Sequence, residues 1–205
     1  MSEPRALPQE FLDRLKALEE SYLSEKDPIR QSGFGGGAER WRKERGVILE
    51  AIKESGSLLD VCCANGYLVE CLGDWAAERG VALNPFGLDQ GARLIELARR
   101  RMPQHEGHFW SGNAWDWVPP RKFRYVYTLT DCVPGSFLRE HLLRLLRLFV
   151  EEDGRLIAGA YGSMSRREPA PDVTALLTGF GFRVAGTALA GSLPVAHIAW
   201  IVRQA

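Results

Sequence analysis

Between Leu7 and Ser24 the apolar residues Phe11, Leu15, Leu18 and Tyr22 recur three or four apart, which places them on one face of a helix. Such a helix needs a surface to pack on. Asp27-Pro28 ends it, the loop Ser32-Gly-Phe-Gly-Gly-Gly37 follows, and a second helical pattern runs from about Ala38 to Glu54. From Gly56 onward, short apolar runs alternate with longer amphipathic ones, the signature of strands interleaved with helices in a parallel sheet. The predicted strands are Leu58–Cys62, Pro85–Asp89, Gly107–Phe109, Phe123–Leu129 and Arg155–Tyr161. Helices are predicted near Tyr67–Arg79, Ala92–Arg101 and Ser136–Val150, with a short one around Asp172–Leu177. The chain closes with two strands, Phe182–Ala190 and Val195–Arg203, whose short connection predicts an antiparallel pair.

Length and composition narrow the picture. At 205 residues with 45% hydrophobic content the chain can enclose one good core. The pattern divides it into an N-terminal helical extension and lid, 1–55, and a core domain, 56–205. The 26 basic and 26 acidic side chains cancel, so no global field draws the protein to nucleic acid or an anionic membrane. Cys62, Cys63, Cys71 and Cys132 lack the paired spacing of a zinc site, and no metal is expected. Reduced thiols, an opening segment without an apolar signal core and the lack of a membrane-length apolar stretch together predict a cytoplasmic protein. Oligomeric state is not encoded in any of these features.

The candidate chemistry centres on Asp60-Val-Cys-Cys-Ala-Asn-Gly66, which follows a strand and opens a helix. Loops in that position direct their amides into the crevice at the carboxyl end of the sheet, where such folds bind ligands. Cys62, Ala64 and Gly66 are small and alternate, letting a ligand approach the backbone. A dinucleotide fingerprint needs its third small residue at position 67, which is Tyr; this and the terminal hairpin speak against an oxidoreductase.

The alternate spacing resembles the Asp-x-Gly-x-Gly-x-Gly loop of class I S-adenosylmethionine-dependent methyltransferases, with cysteine and alanine at two positions where that family usually has glycine. The resemblance runs from about Ser32 to the C-terminus. It implies an α/β fold, a Rossmann-like three-layer sandwich around a seven-stranded, mostly parallel sheet whose last strand is antiparallel, with N-terminal helices added. It also implies S-adenosylmethionine as cofactor, with S-adenosylhomocysteine as product. On the family pattern Asp60 lies near the cofactor's amino group, while Cys62, Ala64 and Gly66 pass beneath its methionine part.

Further along the chain, Asp89 and Gln90 end the second predicted strand, where the Asp89 carboxylate is placed to accept from both ribose hydroxyls; capping of the next helix is the alternative and compatible role. In Gly112-Asn-Ala-Trp115, Asn113 and the Ala114 amide resemble the family's adenine-reading segment, with Trp115 or Trp117 as a stacking platform. The resemblance implies that Thr130, after the fourth predicted strand, meets the methionine part by its backbone. Asp131 is the ionisable side chain placed to act as base or to orient a nucleophile, with helix capping as its alternative. In the glycine loop, Phe34 is the expected cover of the cofactor, and Arg40 or Arg45 the partner of its carboxylate, against the blander reading of a solvated basic face. His105, His108, His141 and His197 share no motif.

Methyl transfer to a small-molecule acceptor is the function these features predict. Two alternatives stay open: an RNA or protein acceptor, because a short lid would leave the site open to something large, and a cofactor-binding protein without catalysis; the short runs Arg99–Arg101 and Arg166-Arg167 read as solvated faces.

Overall fold

The computed structural model describes residues 5–191 and 195–204. Residues 1–4, part of the segment read for a signal core, and 192–194, in the connection of the terminal hairpin, lie outside the described residues. The elements in chain order are α1 (Gln9–Leu23), α2 (Ala38–Arg45), β1 (Gly56–Val61), α3 (Tyr67–Ala77), β2 (Leu83–Asp89), α4 (Ala92–Arg101), β3 (Phe109–Ser111), β4 (Phe123–Leu129), α5 (Gly135–Leu148), β5 (Val150–Tyr161), α6 (Val173–Gly179), β6 (Gly186–Ala190) and β7 (Ala196–Val202). The seven strands form one sheet in the order β3-β2-β1-β4-β5-β7-β6. Pairing is parallel from β3 through β5, whereas β7 runs antiparallel to both β5 and β6, from Arg155↔Val202 to Tyr161↔Ala196 and from Gly186↔Trp200 to Ala190↔Ala196.

The central strands bury both faces, so they read as near-continuous apolar runs. On one face α2, α3 and α4 bring Trp41, Leu72, Trp75, Ile95 and Ala98 against Leu58, Tyr125 and Ile157. On the other, α5 and α6 bring Phe137, Leu142, Leu145, Val173 and Leu177 against Leu59, Val126 and Leu156. Ile29, Phe34, Ile48 and Leu49 share the first cluster, so part of the N-terminal extension is built into the core of the sheet domain.

Several predicted boundaries shift; the strand read from Arg155 begins already at Val150. The helical pattern 38–54 breaks at Gly46, the C-cap of α2, and continues to Ala51 as a 3₁₀ segment that buries Ile48, Leu49 and Ala51. The strand expected at Gly107–Phe109 begins only at Phe109, because Pro103 starts a 3₁₀ run through His108. The strand expected from Phe182 pairs only from Gly186, where the Trp200 indole lies over the backbone: a Cβ at Gly186 would meet it at 2.1 Å.

Candidate functional site

The loop between β1 and α3 carries left-handed backbone at alternate positions: Cys62 at φ 68°, Ala64 at φ 47° and Gly66 at φ 73°. Glycine takes this conformation freely, whereas a side chain costs roughly 1–2 kcal/mol there. The cysteine and alanine therefore keep a glycine-type geometry under strain. Cross-bonds hold it: the Cys62 and Cys63 amides donate to the Leu88 carbonyl at 2.7 and 3.1 Å. The Ala64 amide donates to Asp89 Oδ2 at 2.9 Å, and Asn65 Nδ2 donates to Pro28 O at 3.0 Å and to Gln31 Oε1 at 3.1 Å. Three loop amides expected to face a ligand are thus engaged within the protein. Because glycine's extra chain entropy costs about 0.5–1 kcal/mol of the relief, Ala64→Gly is expected to raise the unfolding free energy by about 0.5–1 kcal/mol in urea titration; a decrease would contradict the strain.

Gly66 serves packing. A Cβ there would lie 2.8 Å from Ala98 Cβ and 3.2 Å from Met102 Cε, so the missing side chain lets the loop pack closely on the end of α4.

A cavity of about 590 Å³ opens at the carboxyl ends of β1, β2 and β4. Cys62, Ala64, Asp89, Gln90, Asn113, Ala114 and Asp131 line its inner side. Its outer wall is α1, through Arg14, Leu15, Leu18, Glu19 and Tyr22. The apolar stripe read from the sequence thus faces this crevice. The expected cover lies elsewhere: Phe34 is buried, edge-on to Trp41 with ring centroids 5.4 Å apart. Arg40 is likewise outside the cavity walls, its Nε and Nη2 donating to Glu44 Oε1 at 3.0 and 2.8 Å.

Asp89 organises the inner wall. Its Oδ1 accepts from Gly91 N at 2.8 Å while Oδ2 holds the Ala64 amide, so one carboxylate ties the β2–α4 turn to the β1–α3 loop. Burial raises its pKa, and the two amides pull it back. The N-cap of α4 is Gly91, and Asp89 closes the turn before it. Beside it, Asn113 Nδ2 donates to Gln90 Oε1 at 3.1 Å and Asn113 Oδ1 accepts from Trp115 N at 2.9 Å. Trp115 points away from the cavity: its indole donates to the Arg5 carbonyl at 2.7 Å and meets Phe137 edge-on at 5.1 Å. The Thr130 amide is engaged with Gly159 O at 2.9 Å, outside the cavity walls. Asp131 is exposed at the cavity edge, and α5 has Pro134 as N-cap without a side-chain cap bond, which removes the capping role considered for Asp131.

Cys132, next to Asp131, donates its thiol to the Val61 carbonyl at 3.6 Å, joining the ends of β4 and β1. A hydrogen bond with Cys132, then burial, push the Cys62 thiol well above its ordinary pKa, so it is neutral. Behind the loop, Asp60 is 2% exposed and outside the cavity walls; burial, reinforced by the Asp89 charge, pushes its carboxyl well above the usual range. The Tyr127 and Tyr161 phenols meet at 2.8 Å nearby. Tyr22 has its phenol pushed up to about 12, first by burial and then by Asp131 and Asp89. His197 is far from this chemistry, held between Thr174 Oγ1 at 3.1 Å and Thr187 Oγ1 at 3.0 Å.

Sequence reasoning missed Tyr22, Glu19 and Asn65 as parts of the site. The first two belong to a helix whose stripe was visible but whose partner was not. Asn65 sits inside the loop motif, and its contacts with Pro28 and Gln31 are long-range.

A sheet ordered β3-β2-β1-β4-β5-β7-β6 with β7 antiparallel is the Rossmann-like fold of class I methyltransferases. Among solved structures the chain is similar to a Haloferax volcanii protein solved with the Trm112 methyltransferase activator: TM-score 0.63, 12% identity, covering 96% of this chain and 95% of that one. It is also similar to a SAM-dependent methyltransferase from Aquifex aeolicus, TM-score 0.53 and 15% identity over 93% of this chain and 97% of that one. A third likeness is to Haemonchus contortus phosphoethanolamine N-methyltransferase 1, solved with phosphoethanolamine and S-adenosylhomocysteine: TM-score 0.59, 17% identity, 75% of this chain and 33% of that one. No family model matches the chain, and no curated protein does.

Proposed function

We propose that the protein is an S-adenosylmethionine-dependent methyltransferase acting on a small molecule. The observation that carries this reading is Asp89: a carboxylate fixed by two backbone amides at the end of β2, on the wall of a cavity of about 590 Å³, a size within the range of small-molecule sites. Its remaining lone pairs suit a vicinal diol, and the adjoining Asn113–Ala114 wall suits a flat base. S-adenosylmethionine, when bound, supplies a methyl group on a sulfonium whose leaving group is already good. The protein's task is then to hold the acceptor in line, close and dry.

Asp131 and the neutral Tyr22 phenol line the same cavity as Cys62 and Ala64. There Asp131 takes a proton from the acceptor's nucleophile or orients it, and Tyr22 donates a hydrogen bond without ionising at physiological pH. The roof formed by α1 favours a small acceptor over RNA or a folded protein.

Isothermal titration tests the reading. S-adenosylhomocysteine is expected to bind while NAD does not, and Asp89→Ala is expected to weaken S-adenosylhomocysteine by roughly 1–3 kcal/mol, the scale for lost charge-assisted hydrogen bonds. Absence of S-adenosylhomocysteine binding to the wild type would overturn the proposal. Unchanged affinity in a folded Asp89→Ala protein would reduce Asp89 to a loop support.

A further inference from the structure

Among the described residues the cavity wall carries one basic side chain, Arg14, against three acids, Glu19, Asp89 and Asp131. Two of the acids are already matched. Asp89 holds the Ala64 and Gly91 amides, and Glu19 accepts from Arg93 N at 3.3 Å with the Arg93 guanidinium 3.7 Å away. Asp131 is exposed on the wall and forms no hydrogen bond or ion pair among the described residues. The Tyr22 phenol, half-buried on the same wall, forms none either. A carboxylate and a phenol oxygen thus stay free to accept N–H bonds from whatever enters.

The donors around them are engaged. The Cys62 and Cys63 amides go to the Leu88 carbonyl, the Ala64 amide to Asp89, the Thr130 amide to Gly159 O and the Cys132 thiol to the Val61 carbonyl. Arg14 lies eight residues before Tyr22, about 12 Å along the axis of α1. Its guanidinium stacks on Phe11, 4.9 Å from the ring. An anion beside Asp131 would meet a like charge, with the loop amides already closed to it.

Packing brings Asp131 and Tyr22 to one loop. Cys132, next to Asp131, bonds to Val61, immediately before Cys62. Tyr22 lies against Gly33, where a Cβ would stand 2.2 Å from the phenol oxygen. The segment leading to Gly33 is tied to Asn65 through Pro28 and Gln31, at 3.0 and 3.1 Å. Burial and then the Asp131 charge hold the Tyr22 phenol in its neutral form, in keeping with that closeness. The rest of this wall is apolar, with Leu15 and Leu18 from α1 and Leu129 two residues before Asp131.

We propose that the methyl acceptor is a small amine on an apolar body, its ammonium received by Asp131 and the Tyr22 oxygen. The proposal rests on the cofactor reading above and narrows its acceptor. Asp131 orients the nitrogen: one proton passes to the solvent that Asp131 already meets, the nitrogen lone pair forms the N–C bond, and the S–C bond breaks with its electron pair left on sulfur. The cofactor's own amino group carries the same ammonium chemistry, so the test separates the two sources.

Three probes share a phenylethyl body and differ in charge: 2-phenylethylamine, 2-phenylethanol and 3-phenylpropionate. Their binding to the protein saturated with S-adenosylhomocysteine is measured calorimetrically on wild type, Asp131→Asn and Tyr22→Phe. Wild type is expected to bind the amine about 10-fold or more tightly than the alcohol or the acid, the scale of one charge-assisted hydrogen bond. Asp131→Asn is expected to compress that preference to less than about 3-fold while its affinity for S-adenosylhomocysteine stays within about 3-fold of wild type; Tyr22→Phe falls between. Equal binding of the three probes, preference for the acid, or no binding of the amine overturns the proposal. So does an Asp131→Asn protein that loses S-adenosylhomocysteine but keeps the amine preference, since the ammonium recognised is then the cofactor's. Should a variant fail to fold, the order of the three probes on wild type decides. Failure of wild type to bind S-adenosylhomocysteine strikes the cofactor reading, whereas S-adenosylhomocysteine bound without an amine preference strikes this proposal alone.

Discussion

Gly66→Ala is expected to destabilise the protein by about 2–5 kcal/mol, the sum of roughly 1–2 for a side chain at positive φ and 1–3 for overpacking. The backbone there is at φ 73°, and the new methyl would meet Ala98 Cβ at 2.8 Å and Met102 Cε at 3.2 Å. Both neighbours belong to the packed core on the α4 side and have little room to yield. Cys62 and Ala64 share the left-handed conformation but line the cavity, so their side chains meet less crowding. The contrast explains why the motif keeps glycine at 66 and departs from it at 62 and 64. Urea unfolding of the variant measures the loss; a change below about 0.5 kcal/mol, the scale of an inert surface substitution, would show that α4 gives way.

Stability is expected to fall in mild acid through His141. This residue is fully buried in α5, neither ring nitrogen has a hydrogen-bond partner among the described residues, and burial followed by the Arg144 charge lowers its pKa from 6.5 to about 4. Between those values the unfolded chain binds a proton that the folded one refuses, so unfolding becomes easier as pH falls. The contribution is complete above pH 6.5 and lost by about pH 4, amounting to about 3 kcal/mol at 1.36 kcal/mol per unit. Asp60 acts in the opposite sense: its raised pKa makes the folded state retain a proton that the unfolded state releases, so its penalty grows as pH rises above the unfolded value. Comparison with His141→Leu therefore isolates the histidine. That variant is expected to be more stable than wild type at pH 7 by about 1 kcal/mol or more, through loss of unsatisfied groups, and the gap should widen toward pH 4. Parallel pH profiles for the two proteins would refute the assignment.

The strand and helix order was legible because periodicity reports which residues are apolar and how they repeat. Its partners are set by tertiary contacts. The stripe Phe11-Leu15-Leu18-Tyr22 was visible, yet that it walls a cavity depends on how the 24–37 segment folds back. Arg40 and Arg45 looked equivalent. Five residues amount to about 140° around a helix, so Arg40 stays half-exposed, reaching back to the buried Glu44, while Arg45 enters the core. Trp115 follows Asn113 and Ala114 in a plausible base-binding segment, but a turn closed by Asn113 Oδ1 swings its indole toward Arg5. Asp89 was found because strand ends in this sheet type face the crevice regardless of side-chain packing.

The α1 wall has a kinetic consequence. Phe11 is its one buried residue; the helix is pinned to α4 by the exposed Arg93–Glu20 and half-buried Arg93–Glu19 ion pairs, whose worth falls as salt screens them. The roof is thus among the least anchored parts of the molecule, from the class of segments that open locally long before global unfolding. Ligand residence is then timed by opening of this helix, and dissociation should quicken with ionic strength even where equilibrium contacts inside the cavity are unchanged.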